Sequence, residues 1–255
     1  MYSQKQKQWS VLSANTVAFA ANFAVWTLFS ILGIKIKQDL GLTETQFGVL
    51  IATPILTGSI SRLPLGILTD LFGGRRVFTL LMICIVPAIY SITLATAYWH
   101  YLLIGLFVGL AGGSFAVGIA YTSAWFEKER QGTAMGIFGA GNAGAAITNL
   151  AAPILILSYG WESVPLIYAV CMLVIIVLFW LFTFEDPAYG DKSAARKTLC
   201  LKTQLAPLKE MRVWRFGLYY YFVFGGFVAL ALWLPKYYIG QFGVNLKTEI
   251  GRAHV

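Results

Sequence analysis

Charged residues, histidine and cysteine are all scarce in this sequence. Charged residues occupy 12% of the 255 positions and hydrophobic residues 58%, which excludes a soluble globule because too little polar surface is present to cover one. Two histidines are too few for a haem or zinc site of the usual kind. The cysteines lack metal-ligand spacing, at Cys84, Cys171 and Cys200. No catalytic triad or carboxylate pair stands out, so we expect no enzyme, no metal site and no cofactor.

Long apolar segments take the place of those groups. A hydrocarbon core of about 30 Å takes around 20 helical residues to cross, and seven segments reach that length. They are Val11–Ile34, Phe47–Thr69, Val77–Tyr98, Tyr101–Trp125, Thr133–Tyr159, Val164–Phe184 and Phe216–Ile239. The sequence therefore predicts an all-α, multi-pass membrane protein surrounded by the lipid bilayer.

Basic residues are concentrated in alternate connections between these segments. Thirteen lysines and arginines lie on one side, and only Lys35 and Lys37 lie on the other side before the seventh segment. By the positive-inside rule, the N-terminus is cytoplasmic. The net charge of +8 is not gathered on a folded, aromatic-interleaved face, so we expect no nucleic-acid partner.

The longest polar connection divides the chain. We expect a six-helix bundle at 1–184, a cytoplasmic linker at 185–215 and the first helix of a second bundle at 216–248, as in a twelve-helix transporter. Twelve helices would need more residues than are present, so the sequence is interpreted as a C-terminally truncated fragment. Its last residues, 249–255, break the apolar pattern and are interpreted as a non-native tail.

The turn between the second and third segments carries a recognisable motif. Gly66, Leu68, Asp70, Gly73 and Arg75 follow the spacing G-x-L-x-D-x-x-G-x-R/K. An ordinary charged turn is the alternative, but position, spacing and topology agree with the signature of the major facilitator superfamily, which this loop resembles. A carboxylate and paired arginines can clamp adjacent helix ends, so Asp70, Arg75 and Arg76 are predicted to form a cytoplasmic gate.

One arginine lies well inside an apolar segment. Arg62 would cost roughly 2.5 to 3.5 kcal/mol at the bilayer centre, so such residues normally face a protein interior or a wet cavity. Gly58 and Gly66 lie four residues to either side of it and leave space around its stem. A buried anion site is predicted, and a structural arginine bonded to neighbouring carbonyls is the alternative.

The fifth segment is rich in glycine and asparagine. Gly139, Gly141 and Gly144 spell G-x-G-x-x-G, but no strand or βαβ unit accompanies them, so a dinucleotide site is excluded. In a membrane helix these glycines permit close helix contact, and the fourth segment offers a matching face. The matching glycines are Gly105, Gly109 and Gly113.

Asparagine adds polarity to that helix. Asn142 and Asn149 share a face with Pro153, and a second polar and aromatic stripe lies on the first segment. Interhelical hydrogen bonding is the ordinary explanation for one intramembrane asparagine. The two stripes together with Arg62 favour a binding site instead. The second stripe comprises Asn15, Phe19, Asn22, Trp26 and Phe29.

The glycine run with Pro153 resembles the helix-five signature of the nitrate/nitrite porter family of the major facilitator superfamily, and the residues around Arg62 resemble its arginine segment. The resemblance implies that Arg62 binds nitrate or nitrite directly and that Asn142 donates a hydrogen bond beside it. It further implies a substrate-facing Tyr220, with Tyr219 and Tyr221 leaving the register ambiguous. Two aromatics, Phe115 and Phe224, would sandwich the ion, although a single aromatic of this kind is more often a core or lipid-facing residue.

The same resemblance implies secondary transport across the inner (cytoplasmic) membrane by alternating access. The transporter is expected to act as a monomer. Proton symport and nitrate/nitrite exchange both stay open, and protons are a partner only in the first. Because the family's second arginine is on helix eight, this fragment is expected to be inactive alone. The alternatives are a facilitator for another small anion or solute and a transport-inactive sensor subunit.

Overall fold

Seven helices long and apolar enough to cross a membrane make up most of the residues that the computed structural model describes, 3–187 and 205–243. They are α1 (Gln4–Leu40), α2 (Glu44–Phe72), α3 (Gly74–Leu94), α4 (Tyr98–Trp125), α5 (Lys128–Tyr159), α6 (Ser163–Phe182) and α7 (Met211–Phe242). A 3₁₀ turn ends α3 at Ile92–Leu94, and others interrupt α4 at Leu110–Gly113 and α5 at Ala140–Ala143. A further short 3₁₀ helix covers Ala206–Lys209.

The chain divides into two compact units, Met1–Tyr189 with α1 to α6 and Gly190–Val255 with α7. The seven helices agree with the predicted all-α membrane class. Most of the predicted linker and the tail at 249–255 lie outside the described residues. Helix α7 starts at Met211, before the predicted start at Phe216.

Several helices extend beyond their apolar segments. At the start of α1, Ser3 and Gln6 form a capping box, and Thr43 and Gln46 form another at the start of α2. Each box satisfies backbone N–H groups that the first helical turn leaves without partners. Hydropathy identifies only the apolar part of a helix, so these polar ends were not predicted.

Two predicted ends are wrong. The apolar pattern predicts that the third segment runs through Tyr98, but α3 stops at Leu94. Extended backbone follows at Ala97, and Tyr98 is the first residue of α4. The sixth was predicted to reach Phe184, but α6 stops at Phe182 because Thr183 is extended. In both places apolar residues continue through a backbone turn, and composition alone does not register the turn.

Helix α1 is the core of the first unit. It contacts α2, α4, α5 and α6, and its side chains are buried without a break from Asn22 to Gly33. The predicted stripe, which includes Asn15, Phe19 and Trp26, is buried as well. A helix surrounded in this way needs small residues on its neighbours wherever the backbones approach closely.

Glycines of α5 supply that close approach. A Cβ added to Gly144 would lie 2.0 Å from the backbone oxygen of Ala20, and one added to Gly141 would lie 2.4 Å from Cδ1 of Phe19. Both contacts are with α1. Gly139, by contrast, has open space at its Cβ position.

The glycine face of α4 packs on a different partner from the one expected. A Cβ on Gly109 would meet the Pro54 oxygen at 2.6 Å, and one on Gly113 would meet Leu65 at 2.3 Å. The prediction that this face matches that of α5 is therefore wrong, because α4 directs it at α2 while α5 directs its own glycines at α1. Sequence spacing shows that a helix has a face of small residues, but it does not show which neighbouring helix packs on that face.

We predict that Gly144→Ala destabilises the protein by about 1 to 3 kcal/mol, because the added methyl would overlap rigid backbone of α1. The matched control is Gly136→Ala, also in α5, where a Cβ meets nothing within 4 Å and where alanine's higher helix propensity makes the change neutral or stabilising. Thermal unfolding in detergent followed by circular dichroism measures both. Equal melting temperatures for the two variants would contradict the described contact.

Candidate functional site

Arg62 lies well inside α2, and its side chain is half-buried. Its Nε donates to the Gly112 carbonyl oxygen of α4 at 3.4 Å, longer than the roughly 2.7 to 3.2 Å of a strong N–H···O bond. The guanidinium carbon is 5.4 Å from the centroid of the Phe115 ring. The arginine is thus positioned toward α4, within the bundle, by a weak hydrogen bond and an aromatic face.

Phe115 belongs to an aromatic cluster that joins three helices. Its ring centroid is 5.6 Å from that of Phe19 on α1 and 6.2 Å from that of Phe138 on α5. Phe19 and Phe138 stack at 4.7 Å, and both are fully buried. The cluster therefore couples the position of the guanidinium to the packing of α1 and α5.

Trp26 fixes the spacing between α2 and α4 beside Arg62. Its Nε1 donates to the Pro54 oxygen at 2.9 Å. A Cβ on Gly58 would lie 2.7 Å from that nitrogen, and a Cβ on Gly112 would lie 2.8 Å from Cε2. The indole thus fills the space that the two glycines leave, and Gly112, in the 3₁₀ turn of α4, also accepts the Arg62 bond.

Asn142 lies in the 3₁₀ turn of α5 and is half-buried. Its Nδ2 donates to the Gly139 oxygen at 2.8 Å, within its own turn. Its buried Oδ1 has no hydrogen-bond partner among the described residues, and the same holds for Oδ1 of Asn149. Gly141, the residue before Asn142, packs against the Phe19 ring, and that ring in turn packs against Phe115.

The remaining predicted substrate ligands are on α7, in the second unit. The rings of Tyr220 and Phe224 stack on each other with centroids 4.9 Å apart and planes 14° apart. Pro153, from the predicted signature, is buried inside α5.

The residues predicted as a gate lie where α2 ends and α3 begins. Asp70 is exposed near the end of α2. Gly73 has φ +85°, a backbone conformation that favours glycine. A Cβ on Gly74 would lie 2.2 Å from Cβ of Tyr121. Gly73 and Gly74 thus make a tight turn against α4.

The two arginines of the turn engage the end of α6. Nη2 of Arg75 donates to the Trp180 oxygen at 2.6 Å, and its guanidinium carbon is 4.0 Å from the centroid of the Trp180 ring. Arg76 forms an ion pair with Glu185, with 3.1 Å between Nε and Oε1. The segment after α6 is also bound by α4, because the Tyr121 hydroxyl donates to the Phe184 oxygen.

Several contributing residues were not predicted. The four-residue glycine spacing selects Gly113 and not its neighbour Gly112. A single phenylalanine in an apolar helix carries no signal, so the sequence does not single out Phe138. Glu185 could have been found as one of the few acidic residues close to the basic connections. Trp180 could not, since its role depends on how α3 packs on α6.

The helices and the inward-directed arginine define a polytopic helical membrane protein. A profile described as Major Facilitator Superfamily matches residues 15–251. The fold is similar to the crystal structure of a bacterial homolog to the human lysosomal transporter Spinster, in an inward-facing and unoccupied conformation. The TM-score is 0.75 at 18% sequence identity, and the match covers 97% of this chain and 59% of that one. The chain belongs to the Major Facilitator Superfamily.

Curated relatives refine the comparison. A Thermus thermophilus protein named "Probable nitrate/nitrite antiporter NarK1" is 43% identical over 92% of this chain and 55% of its own length. A Bacillus subtilis protein named "Nitrite extrusion protein" is 33% identical over 92% and 58%. A Staphylococcus epidermidis protein named "Probable nitrate transporter NarT" is 30% identical over 95% and 61%. The chain spans somewhat more than half the length of these relatives.

We predict that Phe115→Ala increases the rate at which phenylglyoxal modifies Arg62, because the ring that covers the guanidinium is lost. Peptide mass spectrometry after timed labelling measures the rate. Phe107→Ala is the matched control, since Phe107 lies on the same helix and is 52% exposed. An unchanged rate in Phe115→Ala would show that the ring does not cover this arginine.

Proposed function

We propose that this chain provides the anion-binding part of a secondary transporter for nitrate and nitrite. The observation that carries the proposal is Arg62, a cation inside a membrane helix with its guanidinium against Gly112 and Phe115. The names of the relatives supply the substrate class.

The chemistry of the guanidinium fits such a substrate. Nitrate and nitrite are small, flat monovalent anions, and a planar fork of donors can bind two of their oxygens at once. The cost of placing a charge at membrane depth, roughly 2.5 to 3.5 kcal/mol, is offset when the bound ion carries the opposite charge. A lysine would offer only a point charge in the same place.

We assign supporting roles to the other predicted residues. Asn142 donates the second hydrogen of its Nδ2 to the anion, since the first is used by Gly139. Phe115 holds one face of the guanidinium and borders the ion. Tyr220 and Phe224 contribute a hydroxyl and a ring from the other half during alternating access.

The proposed setting is the cytoplasmic membrane, with the N-terminus inside, because Lys5, Lys7, Arg75, Arg76 and Lys128 all lie on one side. There Asp70 and the Arg75–Arg76 pair would act as a gate. In keeping with the names of its relatives, the protein acts as a transporter and not as an enzyme. Its action as a monomer is a separate part of the proposal.

Coupling is left as two alternatives. Proton symport requires a titratable relay, and the carboxylate of α2 closest in sequence to Arg62 is Asp70, at the helix end. Exchange of nitrate for nitrite requires only that both ions compete for Arg62. One relative is named a probable nitrate/nitrite antiporter, which favours exchange. Nitrate flux measured with and without a pH gradient, in a protein carrying both halves, separates the two.

A porter for another small anion is the second candidate, since an arginine alone does not select between flat monovalent ions. Competition of nitrite, formate, chloride and sulfate against labelled nitrate separates the candidates. Nitrate and nitrite should displace the label at the lowest concentrations. Equal displacement by formate or chloride would favour the other porter.

We predict that Arg62→Lys weakens nitrate binding at least about tenfold, because one of two charge-assisted hydrogen bonds, each about 1.5 to 3 kcal/mol, is lost. Arg62→Met should abolish it. Equilibrium dialysis of the 255-residue chain in nanodiscs with isotopically labelled nitrate measures the affinity.

Arg130→Gln is the control for net charge, since Arg130 is exposed and near the start of α5. Its affinity should match that of the unchanged chain. If Arg62→Lys also binds nitrate with unchanged affinity while both variants remain folded, the assignment of Arg62 as the anion ligand fails.

A further inference from the structure

A groove of about 550 Å³ runs between α3 and α6 on the surface of the first unit. This volume falls within the range of roughly 300 to 1,000 Å³ of known small-molecule sites. Its walls include Leu80 and Ile83 of α3 and Val177 and Leu181 of α6. These four side chains are 47 to 65% exposed, so the groove opens sideways, where lipid surrounds a membrane protein.

Among the described residues that line this groove, charge is found only near one end. Arg76 lines it, and Arg76 lies at the start of α3, next to the turn from α2. Trp180 lines it as well, and the same indole carries the guanidinium of Arg75 at 4.0 Å. The groove therefore has a basic, aromatic end followed by an apolar length.

This distribution matches an amphipathic anion rather than a soluble one. A free inorganic anion would gain nothing from the apolar walls, and an uncharged hydrocarbon would gain nothing from Arg76. Basic pockets between membrane helices on the cytoplasmic side bind anionic lipid headgroups. The proposed orientation puts Arg76 on that side.

We propose that the α3–α6 groove binds one anionic glycerophospholipid of the cytoplasmic leaflet, with its phosphate on Arg76 and an acyl chain along Leu80, Ile83 and Val177. The site does not use Arg62 and does not depend on which ion is transported. It depends on the proposed orientation only for the choice of leaflet.

Glu185 would compete with the headgroup. Its Oε1 accepts from Nε of Arg76 at 3.1 Å, yet the Arg76 side chain remains 51% exposed, so a phosphate can approach the exposed part. Because a carboxylate and a phosphate repel each other beside one guanidinium, lipid binding should loosen the Arg76–Glu185 pair. The contact that Glu185 makes between the segment after α6 and Arg76 would then depend on the lipid composition of the membrane.

Native mass spectrometry of the 255-residue chain in detergent tests the proposal, with phosphatidylglycerol, phosphatidylcholine of the same acyl chains and inorganic phosphate as probes. We expect phosphatidylglycerol to be retained over phosphatidylcholine. Arg76→Gln should weaken phosphatidylglycerol retention roughly fivefold, since one basic residue at a membrane surface has about that effect. Glu185→Gln should strengthen it, because the competing carboxylate is gone.

Two matched controls separate the site from general effects. Arg130→Gln removes the same charge from an exposed position outside the groove and should leave retention unchanged. Ile83→Trp fills the apolar length and should reduce retention of both lipids. Val17→Trp fills a second groove, between α1 and α6, whose described lining residues include none that is basic. This variant should leave the retention of both lipids unchanged.

Three results would overturn the proposal. The first is equal retention by Arg76→Gln and the unchanged chain, and the second is equal loss in Arg76→Gln and Arg130→Gln. The third is displacement of phosphatidylglycerol by inorganic phosphate alone, which would mean a plain anion site. Stronger retention by Glu185→Gln would support it even if Arg76→Gln folds poorly.

Discussion

Close contact between helix backbones is the constraint on which the rest of the first unit depends. Lipid offers no hydrophobic gain for pressing two apolar helices together, so packing and hydrogen bonds must hold the bundle. Gly144 meets the backbone of α1 directly, and Gly58 and Gly112 leave room for the indole of Trp26 between α2 and α4. Because α1 is buried among its neighbours, a shift at any of these contacts moves the elements that carry the candidate site.

Arg62 depends on that packing in two ways. Its Nε bond is to the carbonyl of Gly112, the residue that also leaves space for Trp26, and its guanidinium lies over Phe115, whose ring packs on Phe19 and Phe138. A bond of 3.4 Å is a weak restraint on a charge that costs a few kcal/mol at this depth. The packing of α1, α4 and α5 around Phe115 therefore sets the position of the guanidinium.

The arginines at the turn between α2 and α3 belong to a different environment. Arg75 is bound to the oxygen and ring of Trp180, and Arg76 is paired with Glu185, so both connect the turn to the end of α6. Partly exposed pairs of this kind contribute little to stability on their own. Arg75 and Arg76 instead connect the turn that carries the loop motif with the end of α6 and the segment after it. Arg76 also lines the groove between α3 and α6.

Hydropathy over about twenty residues is a local signal, so the sequence predicts the membrane class and the seven helices, and the structure confirms both. An arginine within such a segment is also a local signal, and the candidate site is a prediction that starts from it. Local signals also explain the errors, since apolar composition runs through the turns at Ala97 and Thr183, while capping boxes extend α1 and α2. Tertiary packing alone shows which helix covers each glycine face, that Phe115 lies against Arg62, and that Glu185 pairs with Arg76. The contact of Arg62 with Gly112 joins residues 50 positions apart, and that of Arg76 with Glu185 joins residues 109 apart. Side-chain spacing along one helix contains no information about the partner across the interface.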